Sequence, residues 1–195
     1  MGALSITGVI LAGGLGRRMG GVDKGLQLLD GQPLVTHVAK RLAPQVDELL
    51  INANQNADIY ARLGYPVVAD RIAGFVGPLA GLHVALCVAR HPLVATAPCD
   101  SPLLPLDLVA RLAAALADGA HDVAVARTAL RAHHVFCLCR RSLEAPLAAF
   151  LRSGQRNFYR WLDEQRTVEV RFADEYAFIN INSPAELAAL PPGIG

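Results

Sequence analysis

Apolar and polar positions along this chain fall into two alternating kinds of stretch: short β-rich runs, and longer segments with helical spacing. Residues 6–11 form a continuous apolar run, as expected of a strand covered on both faces of a parallel sheet. Across residues 32–42 the apolar positions Leu34, Val35, Val38, Ala39 and Leu42 make a one-sided helical stripe. The pattern then predicts strand over 48–53, helix over 57–63, strand over 66–69 and helix over 78–90, with Pro78 suited to the first turn. Strand follows over 93–97 and an Ala/Leu-rich helix over 105–117. Further on come strands at 122–127 and 135–139, helices at 143–151 and 158–164, and a strand at 167–172. Ser183-Pro184-Ala185-Glu186 has the form of a capping box that opens a last helix.

Repeated βα units of this kind specify a doubly wound, mostly parallel, Rossmann-like α/β sheet. In such folds ligands bind at the carboxyl ends of the strands, which tells where to look for chemistry. A length of 195 residues without a Pro/Ser-rich linker or internal repeat fits one domain spanning 1–195.

Composition narrows the picture further. With 53% hydrophobic and 18% charged residues the chain is not disordered. A net charge of +1 excludes a general pull toward nucleic acid or anionic membranes, so any anion site must rest on a local cluster of cations. Neither a signal-peptide start nor an apolar run of about 20 residues is present, and a soluble, cytoplasmic protein is expected. Cys87, Cys99, Cys137 and Cys139 include no Cys-x-x-Cys pair, which reads as reduced packing, with Cys137 and Cys139 on one strand face. His133 and His134 are adjacent in a strand and point to opposite faces, so they cannot easily share a metal. His37, His83, His91 and His121 are scattered and read as structural or exposed.

The first strand runs directly into Leu11-Ala12-Gly13-Gly14-Leu15-Gly16-Arg17-Arg18-Met19-Gly20-Gly21-Val22-Asp23-Lys24. Glycines let a backbone turn sharply and approach phosphate oxygens with exposed N–H groups. Arg17, Arg18 and Lys24 supply the positive charge a triphosphate needs. The dinucleotide fingerprint fails, because Met19 occupies its third glycine position. A Walker A loop fails as well, because Lys24 lies between Asp23 and Gly25 rather than before Ser or Thr.

Leu11-Ala12-Gly13-Gly14 followed by Arg17-Arg18-Met19-Gly20-Gly21-x-Asp23-Lys24 resembles the opening loop of the molybdenum cofactor guanylyltransferases, a family within the nucleotidyltransferase superfamily. The resemblance extends along the chain through Ile51-Asn52-Ala53-Asn54, Asp70, Gly77-Pro78-Leu79-Ala80-Gly81-Leu82, Pro98-Cys99-Asp100-Ser101-Pro102 and Asn180-Ile181-Asn182-Ser183-Pro184. It implies a nucleotidyltransferase-type sheet whose N-terminal part binds GTP and whose C-terminal part contributes to the molybdopterin side. It also implies the reaction: GMP passes from GTP to molybdopterin, giving molybdopterin guanine dinucleotide and pyrophosphate.

Residue by residue, the resemblance places Leu11, Ala12, Gly13, Gly14, Lys24, Asn52, Asp70 and Asp100 around GTP. Arg156, Asn180 and Asn182 fall on the molybdopterin side. Arg18, Lys24 and Asp100 are the candidate catalytic residues, with Asp100 the ligand of Mg²⁺. Asp100 follows an apolar strand, and magnesium prefers hard carboxylate and phosphate oxygens, so the residue type suits the role. Asp70 is a candidate for the ribose, the base or a metal-bound water, with a turn aspartate as the structural alternative. Asp23 reads as holding the loop, and Tyr159 and Trp161 as core or as an edge of the pterin pocket. For Asn180 and Asn182 the alternative is capping of the last helix. The nucleophile is a phosphate already ionised at neutral pH, so positioning and charge neutralisation suffice without a general base.

Two rivals stay open on sequence: a sister enzyme that uses CTP, and a non-catalytic module that carries nucleotide or molybdopterin. Expected partners are GTP and the molybdenum cofactor, together with molybdenum-insertion and molybdoenzyme-maturation proteins. No nucleic acid or membrane is expected, and a monomer is the default.

Overall fold

The computed structural model describes residues 5–13, 23–72, 77–181 and 186. Gly14, Arg17, Arg18 and Asn182, and residues 183–185 of the expected capping box, lie outside the described residues.

The central sheet is assembled from β1 (Ile6–Leu11), β4 (Glu48–Asn52), β5 (Val67–Val68), β6 (Leu93–Pro98), β7 (Val123–Arg127), β8 (Ala132–Arg140) and β9 (Thr167–Arg171). Two short strands, β2 (Leu28–Leu29) and β3 (Gln32–Pro33), form a separate antiparallel pair. The helices are α1 (Leu34–Leu42), α2 (Ala57–Ala61), α3 (Pro78–Val88), α4 (Leu108–Ala115), α5 (Glu144–Arg152) and α6 (Phe158–Asp163).

Across the sheet the order is β5-β4-β1-β6-β8-β7-β9. β1 pairs in parallel with β4 and β6, placing Ile10 beside Ile51 and Ala97. β7 and β9 are also parallel. β8 runs against both β6 and β7, so the sheet is mostly rather than wholly parallel. The cause is local. Only residues 128–131 join β7 to β8, enough for a hairpin and far too few for the crossover that a parallel pair needs.

Period-two alternation divides the core into two layers. Ile6 and Ile10 of β1, with Ala95 and Ala97 of β6, face α1 and α4. Val9 and Leu11, with Val94, face α3 and α5. α1 is amphipathic and buries only its predicted stripe. α3 differs, burying every residue from Leu79 to Leu86, because it sits between the sheet and α5. Cys137 and Cys139 lie together on the α3/α5 face, as expected from their alternation, and the four cysteines are free. Among the described residues no helix is long and apolar enough to cross a membrane.

Candidate active site

The ends of β1, β4 and β6 are laced together where their carboxyl termini meet. Ala12 N–H donates to the Asn52 carbonyl (2.8 Å), and Cys99 N–H donates to the Leu11 carbonyl (3.1 Å). Three neighbouring strands therefore deliver Leu11-Ala12-Gly13, Asn52 and Asp100 to one edge.

Lys24 enters that edge on a 3₁₀ turn, Lys24–Leu26, and its position is set by Asp23. Asp23 accepts hydrogen bonds from Gly25 N–H (3.2 Å), the Tyr60 hydroxyl (2.6 Å) and the Asn56 amide (2.9 Å). Tyr60 is fully buried, and burial drives its phenol far above the ordinary value, so it acts as a fixed neutral donor. Asp23 thus holds the 3₁₀ turn that presents Lys24. Lys24 Nζ lies 3.5 Å from Asp100 Oδ2.

Asp100 is almost wholly buried, and desolvation pushes its carboxyl above the usual carboxylate range while Lys24 pulls the other way. Its backbone carbonyl accepts from Ile181 N–H (2.8 Å), and the neighbouring Ser101 hydroxyl donates to Asn180 Oδ1 (2.8 Å). These two contacts bring the Asn180 segment, 80 residues further along the chain (180 − 100), against the Asp100 turn.

Asn52 and Asp70 also meet, in an arrangement that the sequence does not disclose. The Asn52 amide donates to Asp70 Oδ1 (2.9 Å) and the Asn54 amide to Asp70 Oδ2 (2.8 Å). Asp70 N–H returns a bond to Asn54 Oδ1 (2.9 Å), and Asn54 also donates to the Gly13 carbonyl (3.2 Å). Both carboxylate oxygens of Asp70 are therefore engaged by asparagine amides that prop the start of the glycine loop. Gly81, in the first turns of α3, packs so closely on this clamp that a Cβ there would run into Asn52 Oδ1 and Leu11.

A cavity of about 300 Å³ adjoins this edge at Pro98 and Asn180 and is lined further by Arg131, His133, His134 and Tyr159 among others. The two histidines do point apart: His133 is buried and stacks on Phe178, whereas His134 packs on Tyr159. Burial lowers the pKa of both rings. Of the two aromatic residues of α6, Trp161 is core and Tyr159 is exposed at the cavity wall. Arg156 is exposed in the loop between α5 and α6. Sequence reasoning gave no role to Tyr60, Asn56 or Ser101. For Tyr60 and Asn56 the only signal was position beside a strand end, whereas Ser101 stands in the Pro98–Pro102 motif next to Asp100.

A mostly parallel α/β sheet whose carboxyl edge gathers Gly13, a lysine and a nearly buried aspartate defines the nucleotidyltransferase class. The chain belongs to the family of the MobA-like NTP transferase domain, whose profile matches residues 8–168. It is 56% identical over 195 residues to a protein of Burkholderia ambifaria (strain MC40-6) named molybdenum cofactor guanylyltransferase, covering 95% of each chain. A Bordetella petrii protein of the same name is 52% identical over 190 residues, with 95% of this chain and 97% of that one covered. Among solved structures, molybdopterin-guanine dinucleotide biosynthesis protein A from Archaeoglobus fulgidus shares the fold with a TM-score of 0.78 at 22% identity, covering 93% of this chain and 95% of that one.

Proposed function

We propose that this protein is a molybdenum cofactor guanylyltransferase, which moves GMP from GTP onto molybdopterin and releases pyrophosphate. The names of relatives more than half identical over 95% of the chain support this reading. The observation in the site that carries it is the Lys24–Asp100 pair at the meeting point of the strand ends.

Asp100 fits Mg²⁺: it is a hard carboxylate donor, largely dehydrated, with one ammonium group nearby to help balance charge. Asp100 would hold the magnesium, which would supply electrophilic stabilisation of phosphate charge. Lys24, beside Asp100 and fixed by the Asp23–Tyr60–Asn56 contacts, neutralises triphosphate charge. Gly13, propped by the Asn52–Asp70–Asn54 clamp, lets backbone come close to the nucleotide, and Arg18 adds charge from the loop. Asn180, joined to Ser101, aligns the molybdopterin side with the phosphate side. Arg156 and Asn182 complete that side, and Tyr159 and His134 form an aromatic wall suited to a flat pterin. The acceptor phosphate is already ionised, so the residues position and neutralise rather than abstract a proton. Action in the cytoplasm as a monomer, and contact with cofactor-insertion and maturation proteins, belong to the same proposal.

The test is pyrophosphate release with magnesium, molybdopterin and GTP, CTP or ATP supplied separately. Release with GTP alone, dependent on the pterin, is expected. Preference for CTP would move the protein to the sister activity while keeping the mechanism. Tight GTP binding without turnover would favour the carrier. Asp100→Asn should bind nucleotide and lose about 10²-fold or more in turnover, and normal turnover would overturn the metal-site assignment.

A further inference from the structure

Away from the nucleotide edge, one polar cluster interrupts the apolar layer between α3 and α5. His83 and Cys87 are one turn apart on α3, so their side chains share a face. Glu144, the first residue of α5, meets them. α5 begins just past Arg140, which pairs with Leu93 at the amino end of β6, the far end of that strand from Asp100.

His83 Nε2 is 3.6 Å from Cys87 Sγ and 3.5 Å from Glu144 Oε1, and Cys87 Sγ is 3.6 Å from the same oxygen. Nitrogen, sulfur and oxygen donors thus form a nearly equilateral triangle. Tetrahedral zinc, with bonds of about 2.3 Å to sulfur and about 2.0–2.2 Å to nitrogen and oxygen, needs ligand-to-ligand edges of about 3.3–3.7 Å. The side chains already stand at those separations. The His83–Glu144 separation is, by contrast, long for a hydrogen bond. His83 Nδ1 is buried with no hydrogen-bond partner among the described residues, so Nε2 is the nitrogen through which the ring meets polar atoms. Glu144 keeps 42% of its side chain exposed, which leaves an open side for water. Arg71 acts electrostatically on both His83 and Cys87, and Arg152 on His83. A thiolate and a carboxylate would cancel the two charges of the metal, so these arginines would face a neutral centre.

We propose that His83, Cys87 and Glu144 bind a zinc ion, with water as the fourth ligand, and that the ion ties α3 to α5. Binding displaces the Cys87 thiol proton to solvent and involves no redox change. His83 is then neither merely structural nor isolated, and Cys87 is more than packing.

The full chain, stripped with a chelator and kept in magnesium buffer, is titrated with cobalt as a spectroscopic substitute and then with zinc against a chromophoric chelator. One equivalent should bind with a thiolate-to-cobalt charge-transfer band that survives in Asp100→Asn and vanishes in Cys87→Ala. Zinc affinity should fall about tenfold or more in Cys87→Ala and, as a second variant at a half-exposed position, in Glu144→Ala. A wild-type protein without the band, a band that persists in Cys87→Ala, or equal zinc affinity in wild type and both variants would overturn the proposal.

Discussion

Asp23 and Tyr60 illustrate how much of the lysine's placement depends on residues outside the Lys24–Asp100 pair. Asp23 carries three hydrogen bonds, and the Tyr60 hydroxyl supplies the shortest of them from a buried position. Tyr60→Phe removes one donor while leaving Asp23 two others, so stability should fall by about 0.5–1.5 kcal/mol. Asp23→Ala should cost more, because it strands the buried hydroxyl and releases the turn that presents Lys24. Denaturant midpoints test the order of the two losses, and pyrophosphate release tests whether both slow turnover. Gly81 makes a separate point about space. A methyl group at that position has no room between Asn52 and Leu11, so Gly81→Ala should destabilise by about 1–3 kcal/mol through overpacking. The same denaturation measurement checks it.

At the level of elements, α6 links the core to the cavity: Trp161 anchors it beneath, and Tyr159 stands at the cavity wall. Its start is fixed by Asn157, whose side chain accepts from Arg160 N–H at 3.2 Å. Asn157→Ala should cost about 1 kcal/mol of stability and loosen the wall. Under the proposed function, the KM for the pterin substrate should then rise while kcat changes little, a split that steady-state kinetics resolves. Element identity was legible in the sequence because apolar periodicity reports which faces are buried; the stretches at 6–11, 48–53 and 93–97 appear as β1, β4 and β6 within a residue at their ends. Ends set by local chemistry were harder. The helix expected over 105–117 is Leu108–Ala115, and the strand expected to begin at Val135 begins at Ala132, beyond a bulge opposite Val125 and Ala126 that composition cannot reveal. The antiparallel direction of β8 was hidden too, because the expected start at Val135 concealed how short the 128–131 connection from β7 is.

For the molecule as a whole, the legible part of the site was the strand-end residues, and the illegible part was their company. Asp100 and Lys24 stand out by motif, yet nothing in the chain announces that Asn54 closes a clamp on Asp70, that Ser101 reaches Asn180, or that Glu144 meets His83 across 61 residues (144 − 83). Such contacts come from the sheet order, which joins segments that periodicity treats as independent. The global packing also sets how the protein responds to acid. His133 lies stacked on Phe178 and bonded to the Thr128 hydroxyl, and His134 packs on Tyr159; burial lowers the pKa of both below the ordinary histidine value. The unfolded chain therefore binds protons at these two positions at a higher pH than the folded chain does. Stability is fully present above about pH 6.5 and declines as the pH falls through that value toward the lowered folded pKa, by up to about 1.4 kcal/mol per pH unit for each histidine held neutral. Thermal melts between pH 7.5 and 5.5 should show this decline. His133→Phe keeps an aromatic ring against Phe178 and leaves Thr128 its bond to the Arg131 carbonyl, so it should melt with a shallower pH dependence than the wild type. An unchanged slope in that variant would place the acid sensitivity elsewhere than at His133.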